Sequence, residues 1–247
     1  MSKTTIKDLR FGRLIAEGVV VVASILIAFA LDAWWDDRQL EKEMAEDLAI
    51  VEYELSENLR LVDASIEIME QVVTHSKELI DTLKTHTNES SVEIEGSNLF
   101  WTIFSSPTLD PSFGGIDAWI AAGRLAGIES IELRQRLASI RGKVSDVTEE
   151  QYVAREMLIR EIHPLIRHEI GDIAAIEQLY AAGFGATFAS SAQALPDVGT
   201  VVFPNSGAIR FALDARILFF SATLREMAEF RTELEAIQTL LRKEMEN

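Results

Sequence analysis

The groups in this sequence with chemistry to offer are four histidines, many carboxylates and one glutamate at the edge of an apolar run. His163 and His168 are five residues apart. A helix puts them on different faces, away from the i, i+4 arrangement that lets two imidazoles share a metal. His75 and His86 are about 16 Å apart along one helix, too far to share an ion. All four read as surface or packing residues, and no metal site is predicted. The chain has no cysteine, which removes thiolate catalysis, disulfides and cysteine metal sites. Asp110 and Asp117 flank Ser112-Phe113-Gly114-Gly115 and could line a pocket. An aspartate before a proline is equally an ordinary turn or cap residue. Gly114-Gly115 lacks the spacing and the lysine of a phosphate loop, and no serine lies in a G-x-S-x-G setting. The expectation is a non-enzymatic protein with no catalytic residues and no cofactor.

Glu17 is the sharpest single residue, because an ionisable group within a bilayer span is costly and commonly functional. Its plain alternative is a helical ion pair with Arg13, four residues earlier, at the membrane surface. Glu17 belongs to Leu14 to Trp35, LIAEGVVVVASILIAFALDAWW, the one stretch that reads as a transmembrane helix. The uncharged core from Gly18 to Leu31 is short for a span. With its flanks the stretch reaches roughly 33 Å at about 1.5 Å per residue. Trp34 and Trp35 follow as an interfacial aromatic pair. A cleaved signal peptide is the competing reading, since Ala28-Phe29-Ala30 has the small-x-small form. The helical pattern running through that site into DAWWDDRQLEKEMAEDL favours an uncleaved anchor.

Charge places the two sides. Lys3, Lys7, Arg10 and Arg13 precede the span, and the stretch after it is mainly acidic. The positive-inside rule then predicts a cytoplasmic head, residues 1–13, and a body, residues 36–247, outside a bacterial inner (cytoplasmic) membrane. The net charge of −17 argues against nucleic acid, which needs a basic face. At 48% hydrophobic residues the body can bury a core.

The elements that must position these groups are helices. From Trp35 to Leu83 no Pro or Gly interrupts a three-four apolar spacing that includes Leu48, Val51, Leu55, Val62, Met69, Val73 and Ile80. Asn58 and Ser76 fall in its seam. Val92 and Ile94 alternate like a short strand. Short helices are expected over 98–104 and 116–122, the latter ending at Gly123. A second long helix starts at the N-cap Ser130 and runs for about nine turns, kinked at Pro164. A short helix over 171–185 and a long loop to residue 204 follow. The last helix begins at Asn205 or Ser206, with Leu213, Ile217, Phe220, Leu224 and Met227 in its seam. Its Arg210, Asp214 and Arg216 exclude a second span. The fold class is all-α: a transmembrane helix (14–35) continuing into a long juxtamembrane helix, packed as an elongated antiparallel bundle.

Two segments resemble a family of uncharacterised bacterial single-span membrane proteins. One is Glu17 with the apolar run to Ala30, followed by Trp34, Trp35, Asp36, Asp37 and Arg38. The other lies within residues 116–137: Ala122, Gly123, Leu125, Ile128, Glu132, Leu133 and Arg134. The second Trp and the 181–204 loop depart from the pattern. The resemblance implies an anchor and a helical domain, and it brings no activity.

The expected function is therefore a membrane-anchored helical interaction or sensory module. The alternative is an accessory subunit of an ion-conducting or transport complex, with Glu17 in the membrane path. The partners expected are the lipid bilayer and either a second copy or another membrane protein. If 98–104 and 116–122 both cover the distal turns Val73 to Leu83, then Leu40, Met44, Leu48 and Val51 form an exposed stripe near the bilayer.

Overall fold

In the computed structural model, residues 4–170 and 199–246 are described, with side chains from Glu17 onward except at 97, 100, 104, 169 and 170. The expected 171–185 helix and most of the 181–204 loop lie outside the described residues. The chain divides into two units, residues 1–50 and 51–247. The first is helical: α1 (Thr4–Thr85) begins there and supplies the first helix of the second unit as well. The 18-residue window that marks α1 as a membrane candidate has a mean hydropathy of 2.0, and none of it is buried.

Among its described residues the second unit is all-α apart from one two-stranded antiparallel sheet. In order it contains α1, β1 (Ser91–Glu95), α2 (Gly96–Leu99), α3 (Gly114–Ala121), α4 (Ile131–Met157), α5 (His163–Ile170), β2 (Thr200–Pro204) and α6 (Gly207–Glu246). A π-helical turn, Phe100–Phe104, extends α2, and another, Leu158–Ile162, joins α4 to α5. The second has a clear cause. Pro164 has no N–H to donate and its ring crowds the carbonyl four residues back, so the turn before it widens. The kink expected at this proline takes that form.

Cross-helix bonds give the register. Glu52 meets Arg242, Ser56 meets Gln238, Asp63 meets Arg231 and Lys84 meets Asp214, so α1 and α6 are antiparallel. Ser130 meets Glu244, Arg136 meets Glu233 and Gln151 meets Met227, so α4 is antiparallel to α6 too. It follows that α1 and α4 run parallel to each other. The chain must then return the length of the bundle between them, past about 28 residues of α6, or roughly 42 Å.

Residues 105–116 make that return, and polar residues in the helix seams fasten it. Gln151 Oε1 accepts from the Leu109 N–H (2.9 Å). Asn58 donates to the Ser112 carbonyl (2.6 Å) and accepts from its N–H (2.9 Å). Glu54 accepts from the N–H groups of Gly115 (3.1 Å) and Ile116 (2.9 Å). Asn58 and Gln151 weaken an apolar seam on paper. In the fold they satisfy backbone groups that would otherwise be buried without partners.

This path corrects the expectation for 116–122. The segment lies beside Glu54 and Asn58, while only 98–104 reaches the distal turns, where Leu99 and Ile103 join Leu79, Ile80 and Leu83 in one apolar cluster. The exposed stripe shrinks accordingly. Val51 is 1% and Leu48 6% exposed, whereas Leu40 is 59% exposed and Met44 half-buried.

Glu54 also caps α3 from another helix, since Phe113 at the N-cap position supplies no side-chain bond. A carboxylate at a helix N-terminus is favoured by the amide partial charges. Glu54→Ala should cost about 1–2 kcal/mol, as lost caps do. Glu54→Gln, which keeps one acceptor oxygen, should cost about half of that. Urea unfolding of both variants checks this; equal losses would exclude a capping role.

The second strand was not legible as such. β2 pairs antiparallel with β1, placing Val92 opposite Phe203 and Ile94 opposite Val201, all four facing the core. Asn205 then donates to the carbonyls of Leu83 (3.0 Å) and His86 (2.7 Å), closing the C-terminus of α1. Ser130 caps α4 through the Leu133 N–H (3.2 Å), as expected, and Ser206, one of the two residues expected to start the last helix, caps α6 through the Ile209 N–H (3.2 Å).

Candidate functional site

The aspartates of the central loop do not form a site together. Asp110 is exposed. Asp117 pairs through both carboxylate oxygens with the Nε and Nη2 of Arg141, whose guanidinium also lies 5.1 Å from the Phe113 ring centre. That hydrogen bond holds the Asp117 carboxyl below its usual range. A carboxylate fixed in this way is a strut for the loop and a poor proton carrier. Glu17 is exposed and engaged in a polar interaction.

The unusual chemistry lies at the other end of the bundle, around Arg216. Its position follows from spacing: Leu213, Arg216, Phe220, Thr223 and Met227 recur at three and four residues and form the buried stripe of α6. Reading Ile217 as the seam residue missed this, although the same three-four count identifies Arg216. The side chain is 1% exposed. Nη2 donates to the carbonyls of Ser105 (2.5 Å) and Trp101 (3.4 Å), at the C-terminal end of the π-turn after α2. The Phe220 ring covers one guanidinium face at 4.1 Å. No salt bridge to Arg216 occurs among the described residues, and its Nε and Nη1 have no hydrogen-bond partner. The neighbouring Ser105 Oγ is likewise unbonded. Burial pushes the Arg216 pKa down to about 9.

His163 completes the group. Its Nε2 lies 2.9 Å from the Ile103 carbonyl, and since a carbonyl only accepts, Nε2 carries the proton. Arg216 and His163 thus share the capping of one buried helix end, whose carbonyl partial charges suit donors. Burial lowers the His163 pKa; the bond to Ile103 opposes this, and the charges of Arg216 and Arg167 add to it. The imidazole is therefore neutral at pH 7.

On its outer side His163 lines a groove of about 450 Å³ with Ile159, Pro164, Arg167 and His168. The two histidines do lie on different faces, about 140° apart on a helix. The groove spans both. His75 stacks on Trp101 with ring centres 6.3 Å apart and planes at 9°, and its Nδ1 lies 3.2 Å from Glu78. His86 lies against the Thr82 carbonyl at 2.9 Å. No three His, Asp or Glu side chains converge among the described residues as a metal site would require.

The arrangement offers cationic and N–H donor chemistry beside an apolar wall, which suits an anion. No protein family, curated protein or solved structure matches the chain.

Proposed function

We propose that the protein is a non-enzymatic, membrane-anchored helical module for interaction or sensing, with residues 14–35 in a bacterial inner membrane, a cytoplasmic head and the helical body outside. The observation that carries this reading is the wholly exposed apolar stretch of α1. Valines 19–22, Ile25, Leu26, Ile27, Phe29 and Leu31 are all exposed on a helix that nothing covers among the described residues. Such a surface is stable in lipid and costly in water. The tryptophans at its end suit the headgroup layer.

Beyond the span, Leu40 and the half-buried Met44 are the turns left for helix-to-helix contact. Because the chain has no cysteine, single-cysteine variants need no prior substitution. Leu40→Cys should crosslink under oxidant in native membranes, to a second copy or to a partner helix. Leu48→Cys, at a covered position, should stay reduced. Recovery of the full-length chain in a carbonate wash, or Leu40→Cys remaining monomeric, would remove the anchor or the contact respectively.

A further inference from the structure

We infer that the groove along α5 binds a small organic monoanion with an apolar body, such as an aromatic carboxylate. Arg167 and His168 meet the charge, and Ile159 and Pro164 meet the apolar part. Four observations lead there. The groove has the volume of a small-molecule site and combines two apolar side chains with three nitrogen-bearing ones. The chain carries a net charge of −17, yet this groove is lined by Arg167 and two histidines and by no carboxylate among the described residues. Among the described residues neither Arg167 nor Arg216, buried behind His163, is paired with a carboxylate. Finally, the groove sits on irregular backbone, the π-turn forced by Pro164, a feature found often at functional sites.

A buried guanidinium without a counter-charge is costly, and a second cation nearby adds to the cost. Arg216 is close enough to depress protonation of His163, so its field reaches the groove wall. An anion in the groove would supply the missing charge for Arg167 and Arg216 together. Reciprocity then requires that a bound anion raise the His163 pKa, because it favours the imidazolium. The groups facing His163 include Arg167 on its own helix, Arg216 on α6 and the Ile103 carbonyl from the π-turn after α2. The site rests on the body being a sensing module, and it names the class of ligand sensed.

The test is imidazole NMR of the full chain in nonionic micelles, titrated with benzoate, with its neutral counterpart benzyl alcohol, and with inorganic phosphate. Benzoate should shift His168 and His163 saturably, with Kd near or below about 1 mM, and should raise the His163 pKa. Benzyl alcohol and phosphate should each bind at least about tenfold more weakly, since each lacks half of the recognition. Arg167→Gln should weaken benzoate by about tenfold or more while leaving the thermal melt unchanged. Any of three outcomes overturns the site: no saturable shift, equal binding of either control, or an unaltered Arg167→Gln variant. Crosslinking at Leu40 tests the module and this titration tests its ligand, so the two can fail separately.

Discussion

Arg216→Met is expected to stabilise the protein at pH 7, by about 1–3 kcal/mol. The guanidinium is wholly buried and no carboxylate pairs with it among the described residues. The fall from the ordinary arginine range to about 9 corresponds to a charging cost on the order of 5 kcal/mol at about 1.4 kcal/mol per unit. Part of this is offset by what the substitution removes. The Ser105 carbonyl loses its closest donor, at about 1–3 kcal/mol, and the Phe220 contact is worth up to about 2 kcal/mol. Methionine fills similar volume without strain. The pH dependence follows from the sign of the shift. The folded state holds the Arg216 proton less tightly than the unfolded state, so the penalty is fully present below about pH 9 and declines as pH rises from there toward the ordinary arginine range. The advantage of Arg216→Met should therefore narrow between pH 9 and 11. Urea midpoints of both proteins at pH 7 and pH 10 measure this. A loss above about 1 kcal/mol at pH 7 would mean that capping of the buried helix end outweighs the cost of the charge.

Phe203→Ala should cost about 3–5 kcal/mol, the range for a large aromatic removed from a closed core. Phe203 is 0% exposed and sits where β2 meets three other parts of the chain: Leu79 to Leu83 of α1, Leu158 to Ile166 around the second π-turn, and Ile209 to Leu213 of α6. No single neighbour can collapse into the space it leaves. Val202, the adjacent strand residue, points the other way and is 60% exposed. Val202→Ala should change stability by only about 0.5 kcal/mol. The contrast separates packing from strand propensity, because both positions lie in the same five-residue strand. Similar losses at the two positions, measured by urea unfolding, would mean that the two-stranded sheet stands apart from the core.

The sequence by itself determined the helices, their caps and the apolar stretch of α1. These are local properties: three-four spacing, the absence of Pro and Gly from Trp35 to Leu83, a serine before each of α4 and α6, and a proline whose missing N–H distorts its own helix. The helix-forming tendency of Asn98 to Phe104 was legible for the same reason. Only the tertiary structure decided the direction of α4 relative to α1, since a helix carries no record of which neighbour it will lie along. From that direction follow the long return over 105–116, the fastening roles of Asn58, Gln151 and Glu54, and the covering of Val51. β2 escaped notice because a strand of five residues needs β1, more than a hundred positions earlier, before its alternation has a face to bury. The candidate site divides the same way. The sequence reading takes His163 and His168 as surface or packing residues and puts Ile217 in the seam, although the three-four count from Leu213 falls on Arg216. That its charge would be enclosed beside His163, without a carboxylate, depended on which carbonyls and rings the fold brought around it.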